Sequence, residues 1–180
     1  DLGADVVTMS TYKSLGGPPG GAIITNDAGI AEKIDRIAFP GMTANFDAAK
    51  SAALAVTMLD WREFGKEYAA EMVLMAKTLA SSLEEYDIPI FFGALGHTQS
   101  HQFAVLAEEY GGGQQASKLL RKSGLLACGI GLPVQDIEGD MNGVRFGTPE
   151  LVRWGMKAKH SNKLAELVAK ALKGDNVSDQ

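Results

Sequence analysis

Apolar positions along this 180-residue chain change their spacing several times, and each change marks an element. Val6-Val7-Thr8-Met9-Ser10 is rich in β-branched residues and bounded by turn formers, which predicts a short buried strand. Thr11 to Gly21 is too dense in Gly and Pro for an element interior, so it reads as a loop. Ala22-Ile23-Ile24-Thr25 predicts a second strand, and strand, loop, strand suggests neighbouring strands with a site at their connection. Asn26 or Asp27 caps a helix with Ile30, Ile34 and Ile37 at helical spacing, and Phe39-Pro40-Gly41 stops it. Ala48 to Leu59 is Ala-rich and apolar nearly all round, which predicts a well-buried helix. Phe64, Tyr68, Met72, Met75, Leu79 and Leu83 then fall on one face of a long amphipathic helix, where the methionines read as core packing.

Beyond Asp87 the pattern turns strand-like. Residues 88–92, 101–107 and 143–147 predict strands, and 125–132 forms a further apolar stretch. Gly111-Gly112-Gly113 predicts a loop and 114–122 a helix. Thr148 caps a helix with Pro149 in first position, and a last helix from Ser161 carries Leu164, Leu167, Val168, Ala171 and Leu172 up to Gly174. The expected organisation is three-part. Residues 1–60 look cut from a larger α/β unit, 61–174 form a small α+β domain, and 175–180 are a flexible tail. A start one short turn before a buried strand suggests a fragment whose upstream elements are missing.

Composition narrows the class. Apolar content of 46% and charged content of 22% suit a globular protein, and a formal net charge of −5 argues against a nucleic-acid partner. No apolar run reaches membrane length, so no membrane partner is expected. The single cysteine, Cys128, excludes an internal disulfide and suits a reducing cytoplasm; its apolar neighbours predict a buried, inert thiol. His97 and His101 lack a nearby third ligand, so they are expected to make hydrogen bonds, and no metal is expected. The acidic loop of Asp136, Glu138 and Asp140 lacks calcium-loop spacing and reads as solvated.

Lys13 carries the sharpest chemistry. It follows a predicted buried strand, has hydroxyls at Ser10, Thr11 and Ser14 around it, and precedes a glycine-rich turn. Lysine amines normally stay protonated at neutral pH, and desolvation beside other cations frees them as nucleophiles. The hydroxyls can bind a phosphate or carboxylate, and the glycines admit a ligand close to the backbone. From the residues alone, a solvated loop lysine remains the alternative.

The segment Ala4 to Gly21 resembles the cofactor-lysine segment of the serine hydroxymethyltransferase family, with unchanged spacing. Phe39-Pro40-Gly41 is similar to that family's next landmark. Gly96, Thr98 and His101, and then Gly143-Val144-Arg145-Phe146-Gly147-Thr148-Pro149, follow collinearly. The resemblance implies an α/β fold, the C-terminal part of a pyridoxal-phosphate-dependent fold type I transferase, combining the end of a large domain with a small α+β domain. It implies pyridoxal 5'-phosphate bound covalently to Lys13, with Ser10, Thr11, Tyr12 and Gly41 around the cofactor. It implies that Arg145 receives the substrate α-carboxylate, a role suited to the planar guanidinium fork.

The expected activity is serine/glycine hydroxymethyltransferase-like, forming and breaking a Cα–Cβ bond on a small amino acid. The expected assembly is a homodimer or tetramer with its site at the subunit interface. Departures matter. The family's His before the lysine is Tyr12, two arginines become Gly16 and Pro19, and a phosphate-contacting stretch becomes Thr43-Ala44-Asn45-Phe46. An Asn-Lys-Asn stretch associated with folate is Gly129-Ile130-Gly131, which puts tetrahydrofolate dependence in doubt. The alternatives are a folate-independent aldolase of β-hydroxy amino acids, an aminotransferase relative, or a catalytically silent scaffold domain. In this superfamily the Asp that pairs with the pyridine nitrogen lies upstream of the lysine strand, so these 180 residues are expected to supply only part of an active site.

Overall fold

β-branched residues facing a glycine-rich return strand give Val7–Ser10 (β1) and Gly21–Ile24 (β2), an antiparallel pair in which Val7 opposes Ile24 and Ser10 opposes Gly21. The computed structural model describes residues 3–45 and 47–179; Asp1, Leu2, Phe46 and Gln180, and the expectations that touch them, lie outside the described residues. Two compact units divide between Lys66 and Glu67.

In the first unit, helix α1 (Ala28–Arg36) starts where the Asp27 carboxylate accepts the Ile30 N–H at 2.7 Å, and Lys33 and Arg36 suit its negative end. A wider turn, Ile37–Met42, follows, with Phe39 in extended conformation. The N–H and hydroxyl of Thr43 close it by donating to the Ala38 carbonyl at 2.9 and 2.6 Å. Helix α2 (Ala48–Glu84) starts at Asp47, whose carboxylate accepts the N–H groups of Ala49 and Lys50 at 3.0 and 3.3 Å. The two helices expected over this span are one.

Burial in this unit corrects three expectations. Val6 and Val7 are 38% and 46% exposed, so the strand is present but not buried. Val56, Met58 and Leu59, in the helix expected to be well buried, are 59%, 44% and 52% exposed. Phe64, at the head of the amphipathic stripe, is exposed as well. Among the described residues every buried apolar side chain lies at Met72 or beyond. The reason is geometric: a two-stranded ribbon with a short helix offers too little surface to cover its own apolar faces.

The second unit has a true core. Met72, Met75, Leu79 and Leu83 continue the helical spacing and are all buried. Strands β3 (Gln102–Leu106), β4 (Cys128–Ile130) and β5 (Gly143–Gly147) form an antiparallel sheet in the order β3-β5-β4. Helices α3 (Gly113–Lys122), α4 (Pro149–Arg153) and α5 (Ser161–Leu172) complete the unit. Leu79 and Leu83 join Phe103, Val105, Leu120, Val144, Val168 and Leu172 in one buried cluster.

Four details differ from expectation. Residues 88–92 do not form a full strand; Ile90 alone bridges Val105. Pro89 has no N–H to donate, and Phe92 turns away at a φ of 56°. The apolar stretch 125–132 yields a strand of only three residues, with Leu126 84% exposed. Cys128 is exposed, not buried, because it opposes Arg145 in the ladder and so shares the sheet face turned away from Val144. The expected tail is tied down: Val177 is 5% exposed in the core, and its N–H donates to the Ser123 hydroxyl at 3.2 Å.

Helix α3 has no side-chain cap of its own in sequence. Asp140 supplies one from afar, accepting the N–H groups of Gln114 and Gln115 at 2.9 and 3.1 Å. The Gln114 N–H, above all, holds its carboxyl below the usual carboxylate range. A carboxyl with a depressed folded pKa stabilises above its unfolded pKa, and the contribution disappears as pH falls through the folded value. Asp140→Ala should therefore lower stability at neutral pH and flatten the acid limb of a pH–stability profile followed by circular dichroism. Leu79→Ala, which opens a cavity in the cluster that also holds Val105 and Val168, should cost about 2–5 kcal/mol in denaturant titrations.

Candidate active site

The Lys13 loop is held by its own backbone. The Thr11 N–H donates to Gly20 O at 3.0 Å, carrying the β1–β2 ladder one step past Ser10 and Gly21. The Gly17 N–H returns to Thr11 O at 2.7 Å, and the Gly16 N–H closes a turn on Lys13 O at 2.8 Å. Gly16 sits at a φ of 72°, where a residue without Cβ is favoured. Thr11 is buried, and its hydroxyl donates to Pro18 O at 2.5 Å. Its side chain therefore turns into the loop instead of outward with Lys13. Lys13 and Tyr12 are exposed, and Ser10 is half-buried at the end of β1.

Helix α2 reaches this loop. The Trp61 indole N–H donates to Leu15 O at 2.7 Å. A Cβ on Gly17 would lie 3.3 Å from Leu54 Cδ1 and 2.9 Å from Thr11 O, so glycine permits the close approach of helix and loop. Gly41 lies exposed in the Ile37–Met42 turn, and no hydrogen bond joins it to the lysine loop among the described residues.

Arg145 stands mid-strand on β5, opposite Ala104 on one side and Cys128 on the other. Its neighbours along the same face, Gly143 and Gly147, have no side chains. The guanidinium is exposed and has no ion-pair partner among the described residues. Lys13 belongs to the first unit and Arg145 to the second.

Residues that sequence reasoning passed over support this strand. Thr148, which the sequence marks as a helix cap, is fully buried, and its hydroxyl lies 2.7 Å from Met72 O and 3.1 Å from His101 O. Asn142, also buried, accepts the Leu132 N–H at 2.7 Å and directs its amide at the carbonyls of Leu132, Val134 and Gln135. It pins the acidic loop to the start of β5. An asparagine before a strand was the only signal available. His97 meets the Glu84 carboxylate at 2.7 Å, and His101 offers its backbone carbonyl to Thr148, so both are engaged in structural bonds.

The L-threonine transaldolase of Pseudomonas fluorescens, solved in an internal aldimine state, superposes with a TM-score of 0.85 at 28% identity. That match covers 98% of this chain and 40% of the other. The fold is α/β, the C-terminal part of a pyridoxal-phosphate-dependent fold type I enzyme. The profile described as serine hydroxymethyltransferase matches residues 2–168, and the chain belongs to that family. An alpha-methylserine aldolase of Ralstonia sp. is 55% identical over 178 residues, covering 99% of this chain and 41% of that protein. A serine hydroxymethyltransferase of Saccharolobus islandicus is 35% identical over 172 residues, covering 94% of this chain and 40% of that protein. The chain thus spans about two-fifths of the length of these relatives.

The residues present fit pyridoxal phosphate. Lys13 is exposed, so the desolvation expected around a nucleophilic amine is not supplied by the described residues; what fits a covalently held cofactor is the closed, hydrogen-bonded loop that presents the amine. Thr148→Val should keep the fold's volume but leave the Met72 and His101 carbonyls without that hydroxyl. A loss of about 1–3 kcal/mol in denaturant unfolding is expected.

Proposed function

We propose that this chain is the C-terminal part of a pyridoxal-phosphate enzyme that breaks and forms the Cα–Cβ bond of a small β-hydroxy amino acid. The observation that carries the reading is the Lys13 loop, closed by four hydrogen bonds, in a chain 55% identical to an alpha-methylserine aldolase. When bound, the cofactor supplies an electron sink for the bond that breaks. Lys13 would hold the cofactor through its side-chain amine, the nucleophile the loop presents. Ser10 and Gly41 would help to hold the cofactor, and the exposed ring of Tyr12 would stand where the family has its histidine. Thr11 serves from below, by fixing the loop.

Arg145 grips the substrate carboxylate in two parallel hydrogen bonds, and the side chain missing at Gly147 leaves room for the acid beside the fork, whereas Leu132 fills the space over Gly143. Of the readings open, a folate-independent aldolase is favoured over hydroxymethyl transfer to tetrahydrofolate. Gly129-Ile130-Gly131 carries no polar side chain where the family's Asn-Lys-Asn stands, and Gly129 packs its backbone against Gly113 and Gln114. Hydroxymethyl transfer remains the second reading, favoured by the family profile.

Residues 1–60 would then belong to the cofactor-binding domain and 61–174 to the small domain, with the rest of the site on the polypeptide that precedes them in the longer relatives. A homodimer or tetramer in a reducing cytoplasm is part of the same proposal. Among the described residues no helix is long and apolar enough to cross a membrane.

The test is turnover of α-methylserine, serine and threonine, with and without tetrahydrofolate, by the chain alone and joined to the preceding part of its relatives' length. The joined protein should cleave α-methylserine without folate, and the chain alone should not turn over. Serine turnover that requires tetrahydrofolate would favour the second reading. Borohydride should fix the cofactor on Lys13, and Lys13→Ala should abolish both fixation and turnover. Arg145→Lys keeps the charge but loses the fork; kcat/KM should fall about ten- to a hundredfold.

A further inference from the structure

We propose that Trp61 is a positioning residue for Lys13, acting through the Leu15 carbonyl; the inference rests on the reading of Lys13 as the cofactor lysine. The turn bearing Lys13 has backbone bonds at its base, from Thr11 to Gly20 and from Gly17 to Thr11. Its far side is different. Beyond Lys13 the chain must double back through Ser14 and Leu15, and there the outside anchor is the Trp61 indole, 2.7 Å from Leu15 O. The anchor comes from a helix, so it is stiffer than a loop side chain would be. The turn is thus gripped on both sides of the lysine.

A second observation shows that the sequence makes room for this anchor. Gly65 lies one helical turn after Trp61, buried in the middle of α2. Glycine in a helix interior destabilises it relative to alanine. Here a Cβ on residue 65 would lie 2.5 Å from Trp61 Cε3 and 3.2 Å from Cδ2. The indole lies over the bare backbone of Gly65, and that rotamer aims its N–H at the loop. Two residues in i, i+4 relation therefore serve one hydrogen bond that neither needs for its own helix. Nothing in the helix itself favours glycine at position 65.

The test uses the 180-residue chain joined to the preceding part of its relatives' length, with pyridoxal phosphate as the probe, and two variants of that parent. Trp61→Phe keeps a large ring and removes the N–H donor. Gly65→Ala leaves the indole intact but pushes it aside, while favouring the helix. Amide exchange at Gly16 and Gly17, whose N–H groups close the turn, reports loop rigidity without any cofactor. Both variants should raise those rates about tenfold while core amides such as Val105 and Val144 keep theirs.

The second readout is the fraction of cofactor fixed by borohydride on Lys13 relative to the exposed Lys33 and Lys50, mapped by peptide mass. Lys13 should exceed both in the parent chain, and in both variants its excess should fall to their level. Unchanged exchange at Gly16 and Gly17 in Trp61→Phe overturns the inference. So does a loosened turn with Lys13 fixation intact, which would leave Trp61 a purely structural residue. A parent chain in which Lys13 shows no excess sinks the proposed function instead, and the exchange rates then decide the anchoring by themselves. An alanine at 65 that only stabilises α2, with the turn still protected, also counts against the anchor.

Discussion

The apolar seam on the second half of α2 organises this protein. Met72, Met75, Leu79 and Leu83 lie within 5% of complete burial, and Leu79 and Leu83 share one core cluster with the strands and with α3 and α5 of the second unit. The sheet's position follows from that contact, and with it the face on which Arg145 stands. Alternation does the rest. Val144 enters the core, so Arg145 must leave it, and its ladder partners Ala104 and Cys128 share the outer face. The guanidinium is held outward by the same packing that stabilises the fold.

The first unit works by other means. It buries no apolar side chain among the described residues, so its order comes from hydrogen bonds and turn geometry. Thr11 is the pivot: its N–H, carbonyl and hydroxyl each serve the lysine loop, linking it to Gly20, Gly17 and Pro18. Three bonds from one residue replace a core. Lys13 and Arg145 are thus supported by different physical forces in the two units.

Much of this was legible in the chain. Helical spacing identified the α2 stripe from Tyr68 onward, and Thr148-Pro149 marked the start of α4. Lys13 and Arg145 stood out because their residue types matched a chemistry and their motifs matched a family. What the sequence hid was environment. A β-branched run predicts a strand but cannot say whether another layer covers it, so Val7 and Val56 were read as buried. An apolar neighbourhood suggested a buried Cys128, whereas strand register, which no single segment contains, decided its exposure. The bonds from Trp61 to Leu15 and from Thr148 to Met72 link residues far apart in sequence, and nothing local marks either end.

A two-stranded ribbon has two open margins. Along β1 and β2 the outward N–H and C=O groups have no strand beside them among the described residues of the unit, and Val7, Ile23 and Ile24 stand roughly half uncovered above them. Such a margin is a template for extended segments from other chains. The stretch that carries Lys13 is therefore also the stretch most inclined to self-associate, and the concentration at which this polypeptide is handled becomes part of its chemistry.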